Sequence, residues 1–185
     1  MKIALTVLGT DRPGIVCLVS SLLAENNCNI EAISQTVLYN EFAGIFLVTL
    51  PKELNPDHLK KVLDDVLKKE NLVFYLKEIK DLKGSFKEKT QDIEPFVIIS
   101  VGKDRVGLIA SLSCVMKDFG INITNLRFVS SLPSYPDKTA TIYEVEIPKD
   151  IDLNLFVSEL QKKASSVGLE VSVQHKKVFE DICRI

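Results

Sequence analysis

The sequence predicts an α+β protein made of two βαββαβ sandwiches in tandem, each an antiparallel four-stranded sheet with two helices on one face. Three observations lead there. The chain repeats itself: Gly9-Thr10-Asp11-Arg12-Pro13-Gly14 returns as Gly102-Lys103-Asp104-Arg105-Val106-Gly107, and Asn29-Ile30 returns as Asn122-Ile123, all at an offset of 93. Each copy shows apolar periods of two and of 3.6 in the same order: strand, helix, strand, strand, helix, strand. Between the copies, 81–94 is rich in Lys, Glu, Asp, Gly and Ser and reads as a linker, so domains are expected at 1–80 and 95–185.

The elements follow in order. Lys2 to Leu8 is a strand, and Ile15, Val19, Leu22 and Leu23 form a helical stripe matched in the second copy by Leu108, Leu112, Val115 and Met116. Ile30 to Tyr39 and Phe42 to Leu50 read as a hairpin turning at Asn40-Glu41. Asn55-Pro56 starts the second helix, because asparagine caps well and proline loses nothing at the first helical position. Its stripe is Leu59, Val62, Leu63, Val66 and Leu67; the counterpart is Leu153, Phe156, Val157, Leu160, Ala164 and Val167. Leu72 to Ile79 and Leu169 to Val178 read as closing strands. Leu50-Pro51-Lys52 returns as Ile147-Pro148-Lys149 at an offset of 97, so the second copy holds four extra residues, expected in the Pro- and Ser-rich loop 131–138. Right-handed crossovers give the strand order 4-1-3-2 in each copy.

Composition narrows the function classes. With 23 Lys+Arg against 25 Asp+Glu the formal charge is −2, the wrong sign for a polyanion binder, and no direct nucleic-acid partner is expected. Apolar runs are far short of the roughly 20 residues of a bilayer span. Met1-Lys2 leads straight into an alternating segment, so no membrane anchor and a cytoplasmic location are expected. Cys17, Cys28, Cys114 and Cys183 lie far apart, and His58 and His175 are isolated. Neither a metal site nor a disulfide framework is indicated, and Cys17, Cys28 and Cys114 read as small buried hydrophobes. No Walker loop, dinucleotide fingerprint or nucleophile–base constellation is present, so no cofactor and no enzymatic activity are expected.

Gly9-Thr-Asp-Arg-Pro-Gly-Ile-Val16 after a strand, followed by Cys28-Asn-Ile-Glu31 at the next strand, resembles an ACT domain, a ferredoxin-like fold. Gly102-Lys-Asp-Arg-Val-Gly-Leu-Ile109 with Ile121-Asn-Ile123 resembles another. Two such repeats filling the chain, with Glu41-Phe-Ala-Gly-Ile-Phe46 opening the third strand, are similar to the glycine cleavage system transcriptional repressor family. The resemblance implies amino-acid binding between paired domains through Asp11, Asn29, Asp104 and Asn122. It also implies glycine or a similar ligand, a transcriptional activator as protein partner, and gene control without DNA contact. A regulatory subunit docking on an amino-acid biosynthetic enzyme, or a ligand-free dimerisation module, is the alternative, and a homodimer is among the states open to the chain.

The loop chemistry agrees with a zwitterionic ligand. A strand that turns into a helix N-terminus offers free N–H groups to a carboxylate, and Asp11 or Asp104 can accept from an ammonium. Gly14 and Gly107 let the backbone approach, and Asn29 and Asn122 supply both donors and an acceptor where the next strand begins, a start expected beside the loop. Arg12, Ile30, Arg105 and Ile123 flank these positions and complete the candidate set. The competing reading is local: the aspartates cap helices, the glycines serve turns and the asparagines satisfy nearby backbone. Pro13 stiffens the first loop; Val106 in its place leaves the second less preorganised.

Overall fold

The structure, a computed structural model, describes residues 1–79, 92–130, 132 and 136–183, the last three of these as backbone alone. The chain divides into two compact units, Met1–Lys83 and Gly84–Ile185. The first runs β1 (Lys2–Thr10), α1 (Ile15–Glu25), β2 (Asn29–Leu38), β3 (Glu41–Thr49), α2 (Pro56–Leu67) and β4 (Val73–Ile79). The second runs β5 (Ile93–Gly102), α3 (Leu108–Asp118), β6 (Asn122–Val129), β7 (Thr139–Pro148), α4 (Leu153–Ser166) and β8 (Leu169–His175), followed by α5 (Lys176–Cys183). The sheets are ordered β2-β3-β1-β4 and β6-β7-β5-β8, antiparallel at every pairing. Both units are thus βαββαβ sandwiches with the expected strand order.

One side of each sheet makes the core. In the first unit Ile3, Leu5, Val7, Phe46 and Val48 meet Val19, Leu23, Leu59, Leu63 and Leu67, every one of them fully buried. In the second, Ile98, Tyr143 and Val145 meet Leu112, Met116, Phe156 and Leu160. Burying an aliphatic or aromatic side chain contributes about 1.5–3 kcal/mol, so the helical stripes hold the layers together. Leu153 alone among the expected stripe residues stands 37% exposed, because it opens α4 ahead of the turn that meets the sheet.

Four expectations are corrected. The last strand stops at His175 and the chain turns at once into α5; the spacing of Val178, Phe179 and Ile182 is helical but too short to stand out from the strand before it. Cys17 and Cys114 are exposed, since they face away from the stripes of α1 and α3, whereas Cys28 is buried and its thiol pKa is pushed up by burial. Ile93 and Glu94 belong to β5 rather than to a linker; residues 80–91 lie outside the described ones. Asn29 does not begin its strand beside the first loop, as described below. Tyr39-Asn40 joins β2 to β3, while 130–138 joins β6 to β7; of that longer loop, 131 and 133–135 lie outside the described residues.

Candidate functional site

Both candidate loops leave the end of a central strand and enter the first helix of their unit through a left-handed glycine. Gly14 has φ 99° and Gly107 φ 91°, and each is the N-cap residue. An L-residue pays roughly 1–2 kcal/mol for this conformation, which explains the glycine at both places. Neither helix start carries a side-chain cap or an acidic residue in its first turn. The second helix of each sandwich differs. Asn55 Oδ1 accepts from the Asp57 N–H at 2.8 Å, and Asp152 Oδ1 accepts from the Asn154 and Leu155 N–H groups at 3.0 and 3.1 Å. The capping reading of Asp11 and Asp104 is therefore overturned: glycine occupies the cap, and the helix N–H groups beyond it meet no side-chain acceptor.

The loop is fixed from below. The Asp11 N–H donates to Asn40 O at 2.8 Å, tying the loop to the β2–β3 turn. A Cβ on Gly9 would stand 2.7 Å from Leu72 Cδ2 and 3.1 Å from Asn71 O. On Gly102 it would stand 2.6 Å from Gly168 O. Each glycine thus lets the turn before the unit's last strand press against the strand that feeds the loop. The arginines serve the same contact. Arg12 Nη2 pairs with Glu70 Oε2 at 2.5 Å, and Arg105 Nη2 lies 3.1 Å from where a Cβ on Gly168 would be. The Arg12 guanidinium is thus held by the neighbouring turn, and the Arg105 guanidinium lies beside the corresponding turn of the second copy.

Asn29 and Asn122 lie elsewhere. Asn29 pairs with Thr49, which pairs with Lys2 at the start of β1, whereas the Asp11 loop follows Thr10, paired with Glu41. Loop and asparagine are at opposite ends of the sheet, about 27 Å apart at ~3.3 Å per residue. The helix between them carries the chain from one end back to the other, so adjacency in sequence becomes separation in space. Asn122, opposite Glu146, repeats the arrangement. A β-bulge follows each asparagine, at Ile30/Ala32 and Ile123/Asn125, while Ile30 and Ile123 pack against the cores.

The two copies differ in how far these groups are already used. Among the described residues, neither the Asp11 or Asp104 carboxylate nor the Asn29 amide has a hydrogen bond or ion pair. Asn122 Nδ2 donates to Glu146 Oε2 at 3.4 Å, and Asn125 Nδ2 to Glu144 Oε1 at 2.9 Å. The Lys176 ammonium meets Glu144 Oε2 at 2.7 Å. Lys176 and Asn125 hold the Glu144 carboxyl below the usual carboxylate range, and Glu144 in turn raises the Lys176 pKa. In the first copy Glu31, at the bulge, binds Lys2 and Thr49, which lower its pKa, and Asn29 beside it stays free. The partner across the ladder decides the difference: Thr49 in one copy, Glu146 in the other.

Among the described residues no group of three or more His, Cys, Asp or Glu could hold a metal, and no helix is long and apolar enough to cross a membrane. An uncapped helix starts at each glycine loop, and residues 2–73 match the model of the ACT domain. The chain belongs to the UPF0237 family of ACT-domain proteins. It is 34% identical to a UPF0237 protein of Methanosarcina acetivorans over 91 residues, 49% of this chain and 95% of that one. A UPF0237 protein of Methanocaldococcus jannaschii is 38% identical over 88 residues, 42% of this chain and 98% of that one. One from Methanopyrus kandleri is 59% identical over 49 residues, 54% of its length. These relatives match half of the chain or less.

Two solved structures share the whole tandem fold. A protein of unknown function from Galdieria sulphuraria aligns with TM-score 0.74 at 20% identity, covering 94% of this chain and 97% of that one. A provisionally assigned glycine cleavage system transcriptional repressor aligns with TM-score 0.70 at 18% identity, covering 94% and 95%. At these identities the likeness is one of fold.

Proposed function

We propose that the protein is a non-enzymatic sensor of a small amino acid and passes its occupancy to a protein partner. The observation that carries this is the unequal treatment of helix starts. α2 and α4 are capped by their own side chains, while α1 and α3 open at glycine loops with no cap and with a free aspartate beside them. Uncapped N–H groups at the positive end of a helix favour a carboxylate, and a free carboxylate favours an ammonium. An α-amino acid offers both. The first copy is the better receptor, because Pro13 stiffens its loop and Asn29 is uncommitted.

Since Asp11 and Asn29 lie at opposite ends of one sheet, a ligand that uses both is held between two copies of the chain. The loop of one protomer then faces the β2 start of its partner, with the two β2 edges running antiparallel. Such a site couples ligand binding to dimer formation, which is a means of signalling without catalysis. Glycine as the ligand, and an output on transcription through an activator, follow from the resemblance of the two repeats to the glycine cleavage system transcriptional repressor family. A thermal-shift titration of the full chain against the twenty amino acids tests the reading. The true ligand stabilises by about 2.7 kcal/mol at 100 times its dissociation constant; no shift with any amino acid at millimolar concentration contradicts amino-acid sensing.

A further inference from the structure

The two sheets treat their second face differently. In the first unit Ala4, Leu8, Ile45, Leu47, Val73 and Tyr75 share the face that points away from the helices, by register with one another and by alternation with the core residues. Leu8 is 48% exposed, Ile45 53%, Val73 68% and Tyr75 67%. An antiparallel sheet with one wet face ordinarily alternates apolar-in with polar-out, so an apolar outer face marks a contact surface.

In the second copy part of that face is covered. There α5 lies against β5, and its first residue, Lys176, reaches Glu144 on the same face of β7. Val97, which stands where the first sheet has Ala4, is only 2% exposed. The copy that carries its own helix has polar residues on the open side of its edge strand, Glu170 and Ser172. The copy without one has Val73 and Tyr75 at the corresponding places.

We infer that the open face of the first sheet is a docking surface for an amphipathic helix of a protein partner, with a carboxylate of that helix meeting Lys77. The dimensions fit: a helix of about three turns is ~16 Å long and ~10 Å wide, against four strands spaced ~4.8 Å apart. The sign of the charge follows from the register. Ala4 is flanked by Lys77 and Leu47, where Val97 is flanked by Gln174 and Glu144. Among the described residues Lys77 has no ion pair. The second sheet offers the Glu144 carboxylate to the lysine that opens its helix; the first offers the Lys77 ammonium, which selects a carboxylate at that place. This names the segment that the partner of the preceding section presents, yet it stands without amino-acid binding.

The test uses the labelled full chain and two synthetic peptides, one with the sequence of residues 176–185 and one carrying Lys176→Glu and Lys177→Glu. Peptides this short are marginal helices, so titration runs to about 2 mM. The acidic peptide is expected to shift the amide resonances of Leu8, Ile45 and Tyr75 and to bind about three-fold tighter than the basic one, as an exposed ion pair allows. Lys77→Glu reverses that order, and Ile45→Lys abolishes both interactions while leaving the remaining resonances and the far-UV circular dichroism in place. Shifts confined to β5 and β8, equal affinities insensitive to Lys77→Glu, or no shift at all overturn the proposal. Self-association abolished by Ile45→Lys assigns the face to a second copy and overturns it too. Amino-acid binding measured on the Ile45→Lys variant keeps the two readings separate.

Discussion

Asp11 and Asn29 stand at opposite ends of the first sheet, although only seventeen residues, most of them in one helix, separate them. Asp11 follows Thr10, which pairs with Glu41; Asn29 pairs with Thr49 and, through it, is level with Lys2. Every βαβ crossover has this property, because the helix returns the chain to the end from which the first strand set out. On the proposed reading, the donors for a carboxylate and the amide that completes the site are brought together by association rather than by folding.

Free aspartates beside glycine caps have a simple consequence for stability. Asp11→Ala and Asp104→Ala are expected to change unfolding free energy by less than about 0.5 kcal/mol, as surface substitutions do. Asp152→Ala removes a cap that accepts two N–H groups and costs about 1 kcal/mol. Urea unfolding of the three variants checks this; a loss at Asp11 equal to that at Asp152 restores the capping reading.

The glycines at the ends of β1 and β5 differ in what a methyl group would strike. Gly102→Ala meets the Gly168 carbonyl oxygen at 2.6 Å, a backbone atom, whereas Gly9→Ala first meets the end of the Leu72 side chain at 2.7 Å. Overpacking of this kind costs about 1–3 kcal/mol. Gly102→Ala is expected at the upper end and Gly9→Ala below it, as measured by denaturant midpoints at constant m.

The docking of α5 depends on pH with a definite sign. Glu144 has a pKa lowered by Lys176 and Asn125, so its contribution is complete above the ordinary carboxylate range and is lost as pH falls through the lowered value. Lys176 has a raised pKa, so its contribution is complete below the ordinary lysine value and is lost as pH rises through the raised one. Amide protection of α5 should therefore hold from pH 5 to 9 and fall at acid pH, and Glu144→Gln should lower it at neutrality. Protection that rises on acidification contradicts the ion pair.

Tyr143 is fully buried and is the described side chain whose buried hydroxyl has no hydrogen bond. The Thr141 and Ser100 hydroxyls lie beside it and oppose, without overcoming, the rise that burial imposes on its pKa, yet their geometry makes no bond. An unsatisfied buried hydroxyl costs about 1–3 kcal/mol, so Tyr143→Phe should raise the melting temperature. The first copy already has Phe46 at this position. A lower melting temperature for Tyr143→Phe would mean that an internal water bonds the hydroxyl.

The fold was legible because it rests on pattern. Repetition, two apolar periods and the crossover rule specify both sandwiches and the order of their strands, and Asn55-Pro56 marks a helix start that the structure keeps. The site was less so. Cap chemistry at Gly14 and Gly107 depends on φ, and sequence alone does not say whether Asp11 or the glycine takes the cap. The occupation of Arg12 by Glu70 and of Asn122 by Glu146 depends on partners far along the chain. The distance between loop and asparagine could have been read from the crossover, since a helix between two parallel strands always spans the sheet. α5 was hidden because eight residues are too few to show a period after a strand of the same apolar content.

The central claim is that Asp11 of one protomer and Asn29 of its partner hold the same amino acid. It is tested most directly by mixing two full-length variants, Asp11→Ala and Asn29→Ala, and titrating the mixture by calorimetry with the amino acid that gives the largest thermal shift. Each variant alone is expected to bind weakly, with Asn29→Ala losing about five-fold and Asp11→Ala more, because its bond is charge-assisted. After subunit exchange, verified by native mass spectrometry, half of the dimers are mixed and each has one intact site. About a quarter of the wild-type sites should therefore return at wild-type affinity. Undiminished binding by either variant alone, or no tight sites in a mixture that has exchanged, contradicts the account.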